Sequence, residues 1–486
     1  MGRVTKLRAR LDGLFVGPSE LELTEGGIAR PLCYLAFPIV VTNLLQTAYN
    51  VADTLWLGRY STEALAAISF AFPLVFLFLS LGLGLSIAGS VLVAQHTGAG
   101  ESLDAERAAA QTLTYAAIAA VGVGAVAYVA VDDVLAFMGA SPAVLPLATA
   151  YMRIVSLGMV FVFAFYAFIS LMRGRGDTVT PMLVMAGSVA LNVVLDPILI
   201  FGWWGAPELG IRGAAIATVC CRGLAAVVGV GILLDGRRGL RLRPGQFVPN
   251  AAAARRLFRL GLPTALEETG RAVSINLLLA VVGLFSTGVV AGYGVGTRIF
   301  SVVVLPTVAF ASAVETMTGQ NLGAGATDRA TATNRFAAAF LFGAMSACGV
   351  VVWVAARPLV GLFAADATVV DAGVSFLRTI APSFGFVGLM RVFTGGLRGA
   401  GRTTAASLIV ILALGVVRIP AALWGASALG PGGIWVAFAA SNVVGGGVAS
   451  LWFYRTARRR SLARSGVRGG RDRRRLTPAG RPRTHR

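Results

Sequence analysis

The chain has 486 residues, 56% of them hydrophobic and only 13% charged, with a formal net charge of +20. A water-soluble body of this length needs far more charge, which excludes a soluble enzyme or a soluble nucleic-acid-binding domain. Its 60 glycines would weaken soluble helices, whereas in a membrane small residues let helix backbones approach closely.

Residues 1–29 form a polar, basic tail, too long and too charged for a simple cleaved signal peptide. Twelve apolar stretches follow, each near or above the roughly 20 residues that a helix needs to cross the hydrocarbon core. They predict spans at 33–57, 64–94, 110–131, 150–172, 179–201 and 211–234, then at 258–282, 289–318, 335–356, 374–396, 403–425 and 433–454. Six spans make an N-lobe, 30–234, and six a C-lobe, 258–454. Residues 235–257 open on Asp235-Gly236-Arg237-Arg238 and carry the breakers and charges of a linker. The last segment, 455–486, is rich in Arg, Gly, Ser and Pro, has no apolar face, and reads as a disordered tail resting on anionic lipid. The fold class is therefore an all-α integral membrane protein.

The lobes repeat one another at an offset of 225 residues. Pro38 matches Pro263, Gln95 to Gly100 match Gln320 to Gly325, and Arg173-Gly174-Arg175-Gly176 matches Arg398-Gly399-Ala400-Gly401. Like-oriented repeats predict a pseudo-two-fold axis along the bilayer normal, with a cavity between the halves. Most Lys and Arg lie in the tails, the linker and the even-numbered connections. The odd-numbered connections hold Arg59, Arg212 and Arg357 together with Asp132, Asp133, Asp366 and Asp371. The positive-inside rule then places both termini and the linker in the cytoplasm, as expected of a multi-pass protein of the cell (inner) membrane.

An ionised group in the hydrocarbon core calls for a reason. Asp53 lies in the first span and Asp196 in the fifth. Tyr49 and Asp53 are four apart, as are Asn192 and Asp196, so each pair shares a helix face. Pro197 weakens the helix beside Asp196, and Pro38 is placed to bend the first span. Two carboxylates with amide, hydroxyl and carbonyl oxygens suit a hard monovalent cation, Na+ at Asp53, Asn192 and Asp196, or a shared proton. The plainer alternatives put Asp53 at the water interface and give Asp196 backbone donors to satisfy. The C-lobe lacks the set, with Leu278, Val417 and Ala421 at the matching positions. It carries instead Glu267, Glu268, Arg271, Arg298, Glu315, Arg391 and Arg418. Glu267 and Arg271 are four apart, either as a structural ion pair or as part of a substrate site with Glu268 and Arg298. Arg153 and Arg378 match at the same offset and read as scaffold.

No enzyme or cofactor is indicated. The single lysine is Lys6, so there is no Walker lysine, and no strand precedes Gly98-Ala99-Gly100. His96 and His485 lie far apart, outside the spans. Cys33, Cys220, Cys221 and Cys348 have no metal spacing and read as reduced packing residues. The basic tail lacks the interleaved aromatics of a stacking platform, so no nucleic-acid partner is expected.

Together these residues resemble the multidrug and toxic compound extrusion (MATE) transporters, and within them the prokaryotic DinF-like group, over residues 30–454. The resemblance is carried by Pro38, Tyr49 to Thr54, Gln95 to Gly100, Arg173 to Thr178, Asn192 to Pro197 and Gln320 to Gly325. It implies twelve helices in two six-helix lobes. It also implies secondary active export of cationic or amphipathic compounds in exchange for H+ or Na+, by alternating access. A cation site is implied at Asp53, Asn192 and Asp196, with Thr218 joining from the sixth helix. Pro38, Tyr49 and Tyr151 fall at positions linked to protonation and bending of the first helix. Two departures stand out: Ile169 replaces an Asn usual near the end of the fourth helix, and Arg271 stands where the NorM-like group has an acid. The expected partners are a drug-like small molecule and membrane lipid, and the expected state is a monomer. The competing function is a lipid-linked oligosaccharide flippase of a related helical scaffold. Arg271, Arg298, Arg391 and Arg418 favour that rival, and the paired N-lobe acids disfavour it.

Overall fold

The computed structural model describes residues 23–475, and among them there is no β-strand. The N-lobe helices are α1 (Ala29–Tyr60), α2 (Thr62–Gly98), α3 (Ser102–Phe137), α4 (Leu145–Leu157 continued by Met159–Arg175), α5 (Val179–Phe201) and α6 (Ile211–Asp235). The C-lobe helices are α7 (Ala251–Val282), α8 (Thr287–Gly323), α9 (Thr327–Val354), α10 (Ala367–Gly399), α11 (Thr403–Leu429) and α12 (Pro431–Arg475). Local chemistry sets several of their ends. Ser61 Oγ accepts from the Ala64 amide to open α2, and Asn250 Oδ1 accepts from Ala252 and Ala253 to open α7. Gly100 and Gly325 both adopt φ +74°, turning the chain after α2 and α8.

Ten of these helices are long and apolar enough to cross a membrane, and the two parts of α4, bent by 57°, make an eleventh among the described residues. The twelfth, α7, has 32 residues but includes Arg255, Arg256, Arg259, Glu267, Glu268 and Arg271. Its intramembrane charges are neutralised inside the bundle, so a hydropathy criterion undervalues it. The breaks repeat as the sequence does: α4 is interrupted at Gly158, and α10 by a 3-10 turn at Ala381–Ser383. In α11 a π-helical turn, Leu412–Val417, leaves the Leu414 carbonyl to accept from Ser274 Oγ at 2.5 Å.

Some boundaries differ from expectation. Helix α7 begins inside the expected 235–257 linker, and the rest of that linker is docked on α3. Gln111 Nε2 donates to the carbonyls of Gln246 (2.6 Å) and Val248 (2.8 Å). Helix α12 continues to Arg475, past the expected limit of 454, so the start of the segment expected to be disordered is helical. Residues 1–22 and 476–486, the bulk of the N-terminal tail and the end of the C-terminal one, lie outside the described residues. Of the four cysteines expected to pack, only Cys221 is buried; Cys33 and Cys220 are exposed. Helix faces turned to lipid need no polar dressing, so a thiol sits there without cost.

Each lobe holds its own apolar core, around Phe163, Phe165 and Phe168 in one and Phe376, Phe384 and Trp435 in the other. Between lobes α2 packs on α7 and α8 on α1. Gly84 and Gly261 bring α2 and α7 into backbone contact, leaving no room for a side chain on either. The duplication extends to side chains. Arg153 stacks over Tyr128 at 5.5 Å and Arg378 over Trp353 at 5.4 Å, both partners one repeat apart, in keeping with the scaffold role expected of these arginines.

The end of the bundle at which α1 begins, here the lower end, is sealed by a two-fold set. Gln95 Nε2 donates to the Gly399 carbonyl and Gln320 Nε2 to the Gly174 carbonyl, both at 3.0 Å. Gly98 lies against the Gln320 backbone and Gly323 against the Gln95 backbone, so a Cβ on either glycine would overlap a carbonyl. Arg329 ties the chain ahead of α1 to the C-lobe by donating to the carbonyls of Leu23, Glu25, Gly26 and Gly27. Gly98→Ala and Gly323→Ala should each pry this end apart. With the native cysteines removed, a cysteine at Ser90, above the seal, should then react several times faster with a water-soluble maleimide added from the lower side. An unchanged rate would show that the glycines do not close this end.

Candidate functional site

In the N-lobe, α1, α5 and α6 bring Asp53, Asn192, Asp196 and Thr218 together. Asp53 is 3% exposed, and Asn192 and Asp196 are fully buried. The two carboxyl groups are close enough to interact electrostatically. Asn192 Nδ2 donates to Asp196 Oδ1 at 2.9 Å, and Thr218 Oγ1 reaches Asp53 Oδ2 at 3.5 Å. Tyr49 and Tyr151 are buried with their hydroxyls beside Thr218. Four oxygens of this group, Asp53 Oδ1, Asp196 Oδ2, Asn192 Oδ1 and Tyr49 Oη, are buried without a hydrogen-bond partner. Buried polar atoms are nearly always satisfied, so four orphans in one place make this group a candidate ligand site. Asp53 is buried, and Asp196 accepts from the Asn192 side chain. Helix α1 runs unbroken through Pro38, with Thr42 Oγ1 donating to the Pro38 carbonyl at 2.7 Å.

A further residue joins this group that the sequence reading did not single out. Arg222, one turn beyond Thr218 on α6, is 4% exposed. Its guanidinium lies over the Tyr49 ring at 4.3 Å and the Phe165 ring at 5.3 Å. It donates to Gln46 Oε1 at 2.9 Å and points Nη1 at Met185 Sδ at 3.3 Å. Its partners are aromatic and neutral, so its charge acts on the nearby Asp53 through space. The i, i+4 spacing from Thr218 was the available signal.

The C-lobe builds a different cluster. Glu267, fully buried, accepts from Arg398 Nη1 on both oxygens at 3.0 Å, from Arg271 Nη2 at 3.2 Å and from Ser407 Oγ at 3.2 Å. Arg398 Nε also reaches Glu315 at 3.3 Å, and Arg271 Nε reaches Glu268 at 3.4 Å. Glu267, Glu268 and Arg271 thus come together, with Glu315 and Arg398 added. Arg298 does not join them. It is exposed on α8, some 17 residues and about 25 Å along the helix from Glu315. Arg418 is held elsewhere, by Ser441 Oγ and Asn442 Oδ1, both at 2.8 Å, and by the face of Phe438 at 3.9 Å.

Above the lower seal, between the lobes, lies a cavity of about 370 Å³. Thr42, Gln46, Tyr166 and Arg173 face it from the N-lobe; Glu268, Glu315, Arg391 and Arg398 face it from the C-lobe. Gln46 connects cavity and acid pair, since its Oε1 accepts from Arg222 at 2.9 Å and from Tyr166 Oη at 3.3 Å.

The family model MatE matches residues 38–198 and 263–424. The chain belongs to the MatE family. The matched segments begin at Pro38 and Pro263, one repeat apart. Among MatE relatives, the probable multidrug resistance protein NorM of Thermotoga maritima is 29% identical over 406 residues, covering 81% of this chain and 85% of that protein. A FAD transporter of Shewanella oneidensis is 26% identical over 425 residues, covering 87% and 94%. The crystal structure of a mutant of the Vibrio cholerae MATE transporter VcmN shares the fold, with a TM-score of 0.83 at 23% identity over 89% of this chain and 97% of that one. The chain is accordingly a twelve-helix MATE transporter of two pseudo-two-fold-related lobes, and not an enzyme.

Within this MatE protein the Glu267–Arg398–Glu315 cluster fastens α7, α8 and α10. Removing one buried charge strands the others, at a cost of about 3–5 kcal/mol. Arg398→Leu should therefore lower the melting temperature of the purified protein by several degrees, and Arg298→Leu should hardly move it. Equal melting temperatures for the two variants would show that the cluster does not fasten the lobe.

Proposed function

We propose that the chain is a cation-coupled antiporter that exports amphipathic small molecules through the cavity between its lobes by alternating access. It sits in the cell (inner) membrane with its lower end in the cytoplasm, as the charge distribution of its connections supports. Relatives named for multidrug resistance and for FAD transport support an organic substrate of that size. One chain carries both lobes, so a monomer is complete.

The observation that carries the reading is the buried Asp53–Asp196 pair, present in one lobe only. Arg222 fixes its charge balance. Two carboxylates and one guanidinium leave a single negative charge, which one exchangeable H+ or Na+ neutralises. The four unpartnered oxygens supply proton acceptors or metal ligands alike. The sealed lower end is what an outward-facing state requires. A cation arriving from outside draws α1, α5 and α6 about the pair. Gln46 and Arg222 move with them, altering the cavity wall, and cargo is released. Opening at the lower end then frees the cation and admits new cargo. Coupling requires only that cation and cargo prefer different states. The flippase alternative has no use for a lone N-lobe acid pair.

Transport in proteoliposomes with a pH gradient or a sodium gradient, imposed separately, tests the reading and chooses the ion. Asp53→Asn and Asp196→Asn should each reduce gradient-driven transport at least tenfold while the protein still inserts; wild-type rates in both would end the proposal. Removing the fixed charge with Arg222→Gln should tighten cation binding. Like charges roughly 6 Å apart in an effective dielectric of about 20 repel by about 3 kcal/mol. The half-saturating H+ or Na+ concentration should fall by at least about tenfold, and a rise would contradict the role given to Arg222.

A further inference from the structure

We propose that the cavity between the lobes receives amphipathic anions, whose carboxylate or phosphate is held by Arg173 and Arg391. The proposal rests on the transport reading above and names the cargo class of that cavity. The internal repeat supplies its main argument. Arg173 and Arg398 occupy the same position in the two lobes. In the C-lobe, Arg398 is neutralised by Glu267 and Glu315. The N-lobe places Thr42 and Ser90 where those glutamates stand. Both line the cavity beside Arg173, and neither carries a charge. Among the described residues Arg173 makes no ion pair within 4 Å; Glu315 acts on it only through space, and its Nε is buried without a partner.

Arg391 faces the same cavity from α10, and its Nε is likewise buried and unpartnered. The charged groups around it are Arg271, Arg398, Glu267 and Glu268. Those two carboxylates are already bridged to Arg271 and Arg398. Counting Glu315 as well, four guanidiniums about this cavity meet three carboxylates. Of these four, Arg173 and Arg391 have no direct counter-ion among the described residues. A guanidinium fork matches carboxylate and phosphate oxygens two at a time. Buried charges are kept where they pair or serve a pathway. Phe76, Leu83, Ile87 and Val308 give the apolar body of the ligand its wall, and the volume suits a drug-sized molecule.

The test uses two dyes with one xanthene core and opposite charge, fluorescein and rhodamine 123, bound to the full chain in phosphatidylcholine nanodiscs and followed by fluorescence anisotropy. No ion gradient is involved, so failure of cation coupling and failure of this proposal are separate results. Fluorescein should bind at least about tenfold more tightly than rhodamine 123, as one charge-assisted contact provides. Arg173→Gln and Arg391→Gln should each reduce that preference at least about tenfold, and Arg391→Lys, which keeps the charge, should restore most of it. Displacement of fluorescein by added phosphatidylglycerol would support the anion site and assign it to a lipid headgroup. Persistence of fluorescein would support it with a soluble amphiphile as cargo. A wild type that prefers rhodamine 123 would overturn the proposal. So would Gln variants that keep the preference, or that lose both dyes equally.

Discussion

The molecule is organised around the compensation of charge buried in a low-dielectric bundle. An ionised side chain cannot stay in hydrocarbon without a partner, water or a ligand. Each lobe meets that demand differently. The C-lobe closes most of its charges on one another, Arg391 excepted: Glu267 takes two oxygens' worth of contact from Arg398 and shares Arg271 with Glu268. Arg418 is satisfied by Ser441, Asn442 and a phenyl face. The N-lobe leaves its charges unsettled. Asp53 and Asp196 keep unpartnered oxygens, and Arg222 rests on two rings, the Gln46 amide and the Met185 thioether instead of a carboxylate. This contrast between the lobes is what the proposed cation coupling would use, with the ion loaded in the N-lobe.

Transmission needs a stiff frame as well as a soft site. Backbone contact at Gly84 and Gly261 holds α2 to α7, and the Gln95 and Gln320 amides close the lower end with matching bonds. The lower seal obeys the internal two-fold, since each of its bonds in one lobe has its counterpart 225 residues on in the other. The chemistry departs from that symmetry. Gln46 is the place where the two meet: it lines the cavity and takes the hydrogen bond from Arg222. Two side chains, Arg222 and Gln46, thus separate the acid pair from the cavity.

Much of this was legible from residue order. The spans followed from the length of apolar runs, the two lobes from the offset of 225, and the acid pair from carboxylates where apolar residues belong. Helix spacing gave the faces on which Tyr49, Asp53, Asn192 and Asp196 lie. Such features are local or periodic, so a one-dimensional record holds them. The length of α12 and the docking of the linker were not legible, because basic and Gly-rich composition says nothing of helix continuation or of carbonyls offered to Gln111.

Tertiary structure alone decided which charges cancel. Glu267, Arg271 and Arg298 all looked eligible for one C-lobe group, but helical rise carries Arg298 away and brings in Arg398 and Glu315 from other helices. It likewise set Arg222 over Tyr49. Coulomb interactions depend on distance through space, and sequence fixes that distance only within a helix.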